Sequence, residues 1–250
     1  MKKLATALVS AAAIMTMSTT AFAAENPAEV FDRVMEKNNT IQSAEIQSGV
    51  HSVILAKDVI PDGQMKVDMA MHAEMDMQDT TDLKYLAQVA SSILGQDSYS
   101  QVFYTDGYYY VDANGVKLKY PMPLEQIISS VQTGVNTSNM ESSYMKGISL
   151  NEVNGKRVLA YEANPKKLNK NVKEALGTVM NTLGTDVNLD MNIQEMKGAY
   201  VLDDNDYIIY MTNYIVYNME VLDQPMTCIT LMEVGPSGLR KTMRHFNSLA

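Results

Sequence analysis

The chain has 250 residues, a formal net charge of −9 at pH 7 and one cysteine, Cys228. An acidic chain is repelled by nucleic acid and by anionic membrane surfaces, so neither is an expected partner. A single cysteine excludes an intramolecular disulfide, and its position in the apolar run MTCITLMEV predicts a buried strand residue.

Residues 1–23 have the pattern of a secretory signal peptide. Lys2 and Lys3 precede a mostly apolar stretch at 4–17, which is too short to span a bilayer, and residues 21–23 (AFA) form a cleavage site. No cysteine near this site could accept a lipid. We therefore expect a secreted or periplasmic protein without a lipid anchor or a transmembrane segment. Loss of the two lysines would change the charge from −9 to −11.

The mature chain begins with elements that are easily assigned. Residues 26–38 favour a helix, because Asn26 can cap it and Pro27 suits its first turn. Residues 42–56 alternate loosely, which indicates a strand, and PDG at 61–63 indicates a turn. The segment 65–78 is predicted to pair back on its predecessor as a hairpin.

The middle of the chain mixes predicted helices with short strands. The apolar spacing of residues 80–94 predicts a helix that Gly95 would cap. Residues 98–120 predict strands separated by two hairpin turns, Asp106-Gly107 and Asn114-Gly115. A short helix is expected at 124–131.

The last part of the chain is also predicted to alternate between strands and a helix, and these elements are longer. A hairpin is predicted across 144–164, with its turn at Asn154-Gly155, and a helix over 165–183. Three long strands follow, at 187–203, 207–222 and 226–235. Short turns between strands make a sheet antiparallel. The expected fold is α+β: one domain over 24–250, with a large curved antiparallel sheet and helices against one of its faces.

No catalytic motif emerges from the sequence. The three histidines, His51, His72 and His245, belong to no metal or protease motif, and nucleotide-binding and disulfide-exchange motifs are absent. The acidic run 203–206 lacks the pattern of an EF-hand loop and is better explained as a hairpin turn. We expect no enzyme, no cofactor and no metal site.

The segment 65–78, MKVDMAMHAEMDMQ, is the most unusual stretch. Its five methionines, with Val67 and Ala73, occupy the odd positions, so a strand would carry them all on one face. Valine and isoleucine have higher strand propensity, whereas methionine is flexible and polarizable. The choice is typical of a surface that accommodates varied apolar ligands.

The candidate ligand-binding residues combine this strand with the late strands, where the inward-facing parity stays open. They are Met65, Val67, Met69, Met71, Met75, Met77, Met191, Ile193, Met211, Ile215 and Met219. The expected partner is a lipid or another hydrophobic small molecule, with an envelope protein as a further candidate. Two alternatives remain: a structural envelope protein whose methionines are only core, and a copper-binding protein, because thioethers are soft ligands for Cu(I).

Two segments carry a resemblance to a known family. The chain opens with the amphipathic helix AEVFDRVMEKNNTIQSAEIQ, and VFYTDGYYYVDANGVKLKYPMP contributes a patterned tyrosine-rich hairpin. This arrangement resembles the LolA/LppX-like superfamily of bacterial lipoprotein and lipid carriers, within an uncharacterised exported branch. The residues that carry the resemblance are Tyr104, Asp106, Gly107, Tyr108, Tyr109, Tyr110, Gly115, Lys117, Lys119 and Pro121.

The resemblance implies an unclosed β-barrel, in which one concave sheet wraps over helices and encloses an apolar cavity for acyl chains. It therefore implies that the methionine face points inward and the charged face outward. Many members of this branch are lipid-anchored, and this chain departs from them because it lacks a cysteine at its cleavage site. The resemblance carries over no catalytic residue.

Overall fold

A computed structural model describes residues 25–56, 61–79, 83–124, 140–170, 191–221 and 224–235. The predicted signal peptide, most of the predicted helix at 124–131 and most of the helix at 165–183 lie outside these residues. Within the described parts, no helix is long and apolar enough to cross a bilayer.

The strands of the described residues form an eleven-stranded antiparallel sheet, which confirms the predicted sheet and its strand direction. The strand order is β6-β5-β4-β3-β2-β1-β11-β10-β9-β8-β7, so β6 and β7 end the order and the sheet is not closed into a barrel. Its strands are β1 (Ser43–Leu55), β2 (Gln64–Asp76), β3 (Lys84–Ile93), β4 (Gln96–Thr105), β5 (Tyr108–Ala113), β6 (Val116–Pro121), β7 (Met145–Val153), β8 (Lys156–Ala163), β9 (Met191–Leu202), β10 (Ile208–Val221) and β11 (Gln224–Val234).

Helix α1 (Pro27–Asn38) begins as the sequence predicts, because the side chain of Asn26 accepts a hydrogen bond from the backbone N–H of Ala28 at 3.1 Å. A second helical segment occupies residues 165–170, where Asn164 caps the N–H of Lys166 at 3.1 Å. Two short 3-10 turns occupy Pro61–Gly63 and Ser142–Tyr144, and Leu124, the first residue of the predicted helix at 124–131, is also helical.

The predicted helix at 80–94 is wrong, because Lys84–Ile93 form β3. This strand pairs along its whole length with β2 on one side and β4 on the other, so two hydrogen-bonded ladders replace the helical bonds. The helical spacing of its leucines and alanines was a weak local preference that this pairing overrides. Gly95 caps no helix. It forms a tight turn with Leu94, and both residues have positive φ, 54° and 76°.

The predicted hairpin turns are confirmed. Asp106-Gly107, Asn114-Gly115 and Asn154-Gly155 each join consecutive antiparallel strands, and all six residues have positive φ between 50° and 84°. Two successive residues with positive φ match the right-handed twist of the flanking strands, and Asn, Asp and Gly adopt this conformation most readily.

The chain divides into two compact units. The first comprises Met1–Asn38, Ser52–Met65 and Met140–Leu231, and the second comprises Asn39–His51, Lys66–Asn139 and Met232–Ala250. The prediction of one domain over 24–250 stays a prediction.

The core of the first unit forms where α1 lies against the sheet. Val30, Phe31 and Val34 of the helix are almost completely buried. The rings of Phe31 and Tyr161 form a T-shaped contact with their centroids 5.7 Å apart. The Tyr161 ring stacks on the Tyr200 ring with the centroids 5.1 Å apart. Such aromatic contacts add directional stabilisation to the burial of apolar area.

Beneath the helix, a glycine makes room for a buried tyrosine. Gly198 of β9 lies opposite both Tyr161 of β8 and Asn213 of β10. The Tyr161 hydroxyl donates a hydrogen bond to Asn213 Oδ1, and the Tyr200 hydroxyl donates to the Tyr161 oxygen at 3.3 Å. Burial raises the pKa of Tyr200 to about 12 and that of Tyr161 well above its ordinary value, so both phenols stay neutral.

An ion-pair cluster joins α1 to two strand ends of the first unit. The carboxylate of Asp206, in the β9–β10 turn, accepts a bond from Arg33 Nε at 2.9 Å and another from Arg157 Nη1. Burial would raise the pKa of Asp206, but the hydrogen bond from Arg33 and the charge of Arg157 lower it below its ordinary value. The acidic run at 203–206 is therefore a turn that binds arginines, and it confirms the predicted hairpin.

We predict that Gly198→Ala destabilises the protein by about 1–3 kcal/mol, because the added methyl group would overlap the Tyr161 ring and the Asn213 amide. The measurement is chemical denaturation followed by circular dichroism. Gly147→Ala is the matched control, since a Cβ at Gly147 in β7 meets nothing within 4 Å. Equal losses in the two variants would contradict the close approach at Gly198.

We also predict that Asp206→Asn lowers the free energy of unfolding at neutral pH by about 1–3 kcal/mol, through loss of charged hydrogen bonds. The folded-state pKa of Asp206 is depressed, so its contribution is present above the unfolded-state pKa and is lost as the pH falls through the folded-state value. The difference between wild type and variant should therefore shrink in acid. Asp204→Asn, in an exposed part of the same turn, is the control, and a difference independent of pH would refute the assignment.

Candidate functional site

The methionine segment forms β2, as predicted, and pairs in continuous register with β3. Met69 is 37% exposed, and the other odd-numbered candidates are half-buried: Met65, Val67, Met71, Met75 and Met77. The opposite face is not uniformly solvated, because Ala70 is only 2% exposed. Met65 belongs to the first unit, whereas residues 67–77 belong to the second.

A row of large side chains crosses five strands of the second unit. Met75 lies opposite Tyr85, Tyr85 opposite Tyr104, Tyr104 opposite Tyr109, and Tyr109 opposite Tyr120. Residues opposite each other in an antiparallel pair share a face of the sheet. The methionine face of β2 therefore continues across the sheet as a surface of methionine and tyrosine.

The inner part of this row is a small apolar cluster. Leu83 and Tyr104 are its buried members, and Met77, Tyr85, Tyr109, Met122 and Leu124 lie against them. The Tyr104 hydroxyl donates a hydrogen bond to the carbonyl of Met122 at 3.1 Å, which fixes the ring. Burial raises the pKa of Tyr85 and of Tyr109, and the nearby Tyr85 raises that of Tyr109 further.

Beside this cluster lies an open cleft of about 540 Å³, and all of its lining residues belong to the second unit. Its size falls within the range of small-molecule sites, roughly 300–1,000 Å³. The lining comes from the start of β1, the end of β2, the start of β3 and the end of β4. Its members are Ser43, Ala44, Glu45, Glu74, Met75, Asp76, Lys84, Tyr85, Leu86 and Tyr104.

The strand register divides the lining residues between the two faces of the sheet. Met75, Tyr85 and Tyr104 share one face, where they supply apolar area. Glu74 pairs with Leu86 and Asp76 with Lys84, so these side chains belong to the other face. His72 shares that face, with Nε2 at 2.9 Å from Glu74 and Nδ1 at 3.9 Å from Glu45.

The late-strand candidates lie in the first unit and share one face. The β9–β10 register pairs Met191 with Met219, Ile193 with Tyr217 and Met211 with Tyr200. The register shifts by one residue between Val216 and Tyr217, and this bulge keeps the paired residues on one face. Their face is the one that α1 covers, because Ile193 is a buried core residue against which Met211 and Ile215 lie. The thiol of Cys228, a buried strand residue as predicted, lies 3.7 Å from the Met219 sulfur.

Of the predicted ligand-binding residues, the cleft contains only Met75. Sequence reasoning missed Tyr85, Leu86 and Lys84, because it assigned them to a helix. The alternation of Tyr85, Ala87 and Val89 was the available signal, and it coincides with the period of a strand. The acidic members of the cleft were expected on a solvated outer face.

The described residues contain no group of three or more histidine, cysteine, aspartate or glutamate side chains that could hold a metal ion. The methionines of β2 lie on a regular strand, where next-but-one residues are about 6.6 Å apart. One metal ion could bind two of them only through extended side chains.

The chain belongs to a family of unknown function (DUF6612), whose match covers residues 26–235. No match was found among curated proteins.

Several solved structures show similarity over most of the chain. LppX, a lipoprotein of Mycobacterium tuberculosis, shares 7% identity with a TM-score of 0.36, covering 82% of this chain and 94% of that one. LprF of Mycobacterium bovis shares 8% identity with a TM-score of 0.31, covering 82% and 90%. The ywiB protein of Bacillus subtilis shares 12% identity with a TM-score of 0.24, covering 80% and 99%. LppX, which gives its name to the superfamily that the sequence resembles, is thus among the structures similar to this chain.

We predict that Tyr85→Phe lowers the pKa of Tyr109, because Tyr85 contributes to raising it. Alkaline titration of phenolate absorbance measures this, and the variant should also lose one late-ionising tyrosine. Tyr99→Phe, which removes an exposed tyrosine of β4, is the control and should leave the ionisation of Tyr109 unchanged. An unshifted Tyr109 in Tyr85→Phe would contradict the tyrosine row.

Proposed function

We propose that this chain is an exported, non-enzymatic binding protein that carries or senses a lipid or another amphiphile. The observation that supports this most directly is the cleft of about 540 Å³, where Met75, Tyr85 and Tyr104 share one apolar face of the sheet. An amphiphile matches this surface, because its alkyl chain can contact the apolar side chains while its head group stays in the solvent at the open side of the cleft.

The apolar contribution to binding affinity follows from the apolar area that the bound molecule buries. Burial of each methylene group of an alkyl chain contributes about 0.8 kcal/mol. Met75 and Tyr85 are half-buried, so they retain exposed apolar area that a chain could cover. Flexible methionines can adapt to chains of different length or shape, whereas branched side chains could not do so without strain. The other methionines of β2 would extend this surface.

Export is part of the same proposal. Its support is the signal-peptide pattern of residues 1–23, with Lys2 and Lys3 before the apolar stretch. An exported carrier would exchange its ligand between a donor and an acceptor. An envelope protein is the partner class we propose for that exchange.

The test is Met71→Asp/Met75→Asp. Two carboxylates on the methionine face should abolish retention of an amphiphile, because desolvating a charge against an alkyl chain is costly. Native mass spectrometry of the mature protein, purified from its own secretory pathway, measures the mass of any bound molecule. Solvent extraction then identifies its class.

The matched control is Leu94→Asp/Ile209→Asp, which adds the same charge at two exposed positions outside the candidate site. Retention at the wild-type level in Met71→Asp/Met75→Asp, with circular dichroism unchanged, would refute the methionine lining. Met71→Leu/Met75→Leu separates the copper alternative, because leucine preserves apolar binding and abolishes thioether ligation. A wild-type mass without any ligand would favour a structural envelope protein.

A further inference from the structure

We infer that the β3–β4 turn is a membrane-docking tip, where the side chain of Leu94 enters the apolar layer of a bilayer with neutral head groups. The inference goes beyond the proposed function, because it assigns a contact between the protein and a lipid surface. Three features of the second unit carry it: the backbone conformation of Leu94, the exposure of its side chain and the apolar residues at the same end of the sheet.

Leu94 has a backbone conformation that leucine disfavours. Its φ of 54° lies in the left-handed region, where a Cβ atom crowds the following carbonyl oxygen. The same position in three other hairpin turns holds Asp106, Asn114 or Asn154, with φ between 50° and 53°. Their short polar side chains tolerate this conformation because they hydrogen-bond locally, whereas the side chain of leucine has no such group. Turn formation therefore does not account for a leucine here.

Burial does not account for it either. Leu94 is 69% exposed, more than any other large apolar residue of the described chain. A residue that is both strained and exposed adds little to the stability of the fold. Because strained residues persist mainly where they serve a function, we assign the Leu94 side chain to a contact outside the chain.

Further exposed apolar residues lie at the same end of the sheet. Ile93 precedes the turn, and Tyr99 of β4 and Val116 of β6 are exposed to a similar or greater extent. The β5–β6 turn lies beside Tyr99, because the backbone N–H of Tyr99 donates a hydrogen bond to Asn114 Oδ1 at 3.0 Å. We call Ile93, Leu94, Tyr99 and Val116 the apolar rim.

A bilayer fits the apolar rim better than a protein partner or a second copy of the chain does. A stable interface buries about 800 Å² on each protein, and the four side chains of the rim offer much less than this. A bilayer requires no complementary shape: aliphatic side chains enter its apolar layer, and a tyrosine suits the boundary with the head groups. The rim also continues into the methionine face of β2, because Ile93 lies opposite Val67.

The charges beside the apolar rim indicate which kind of bilayer it contacts. Asp68 and Asp97 both lie opposite Ser92, the residue before Ile93, so two carboxylates stand next to the rim. They repel anionic head groups at short range, as the acidic chain does at longer range. Phosphatidylcholine, whose head group has no net charge, is therefore the lipid with which the contact is tested.

The first test is Leu94→Asn, which gives the turn the Asn-Gly sequence of two other hairpins and so relieves the strain. We expect two opposite effects. The midpoint of chemical denaturation should rise, whereas the partition coefficient onto phosphatidylcholine vesicles, measured by co-flotation, should fall about tenfold or more, because one leucine side chain no longer enters the apolar layer. Ile209→Asn is the matched control, since Ile209 is an exposed aliphatic residue of the first unit, and it should leave co-flotation unchanged.

The second test uses the absence of tryptophan from the chain. Leu94→Trp places a single fluorophore at the tip, and its emission should shift to shorter wavelength when phosphatidylcholine vesicles are added. Vesicles that contain phosphatidylglycerol should give a smaller shift, because their surface is anionic. The same measurement with Ile209→Trp should show no shift.

Equal co-flotation of the wild type and Leu94→Asn, or an unshifted spectrum in Leu94→Trp, would overturn the inference. A lower denaturation midpoint in Leu94→Asn would contradict it as well, because Leu94 would then serve the fold. Self-association of the wild type that Leu94→Asn abolishes, without co-flotation, would assign the rim to a second copy of the chain instead.

Detergent binding separates this inference from the proposed function. Leu94→Asn keeps Met71 and Met75, so isothermal titration calorimetry should give the wild-type affinity for dodecyl maltoside below its micellar concentration. Detergent binding without vesicle contact in the wild type would refute the docking tip and leave the carrier proposal standing. Vesicle contact without detergent binding would support the docking tip and contradict the carrier proposal.

Discussion

The register between β2 and its neighbours is the constraint on which the candidate site depends. Side chains alternate between the faces of a strand, so a slip of one residue would move every methionine of β2 to the other face. The pairings of Met75 with Tyr85 and of Tyr85 with Tyr104 place the apolar side of the cleft. The tight turn at Leu94-Gly95 maintains the register of β3 with β4, because two-residue loops allow little slippage.

The two units use their aromatic residues differently. In the first, Phe31, Tyr161 and Tyr200 lie within a fully buried core, and the hydroxyl groups of the two tyrosines form hydrogen bonds inside it. In the second, Tyr85 and Tyr109 are half-buried and lie next to an open cleft. A buried tyrosine network specifies one arrangement of a core, whereas a half-exposed tyrosine offers apolar area with a polar tip to a ligand.

The apolar side chains of the cleft suit binding without strong discrimination. Apolar contact with methionine and tyrosine is nearly indifferent to the shape of an alkyl chain, because methionine is flexible and polarizable.

Much of the architecture could be predicted because local sequence and tertiary structure agree there. The cap at Asn26, the Asn114-Gly115 turn and the alternation of β2 each encode their geometry within a few residues. The segment 84–93 was predicted wrongly, because its helical spacing competes with a period-two alternation, and the pairing with both neighbouring strands stabilises the strand.

The sequence by itself determined the antiparallel sheet, its hairpin turns and the methionine face, since these depend on local conformation and on a period of two. Only the tertiary structure decided that Tyr85, Tyr104 and Glu45 share a cleft, because they come from three strands that pairing brings together. The same holds for the late strands, where the bulge before Tyr217 sets which side chains lie under α1. A bulge shifts the alternation by one residue, and no local pattern reveals where it falls.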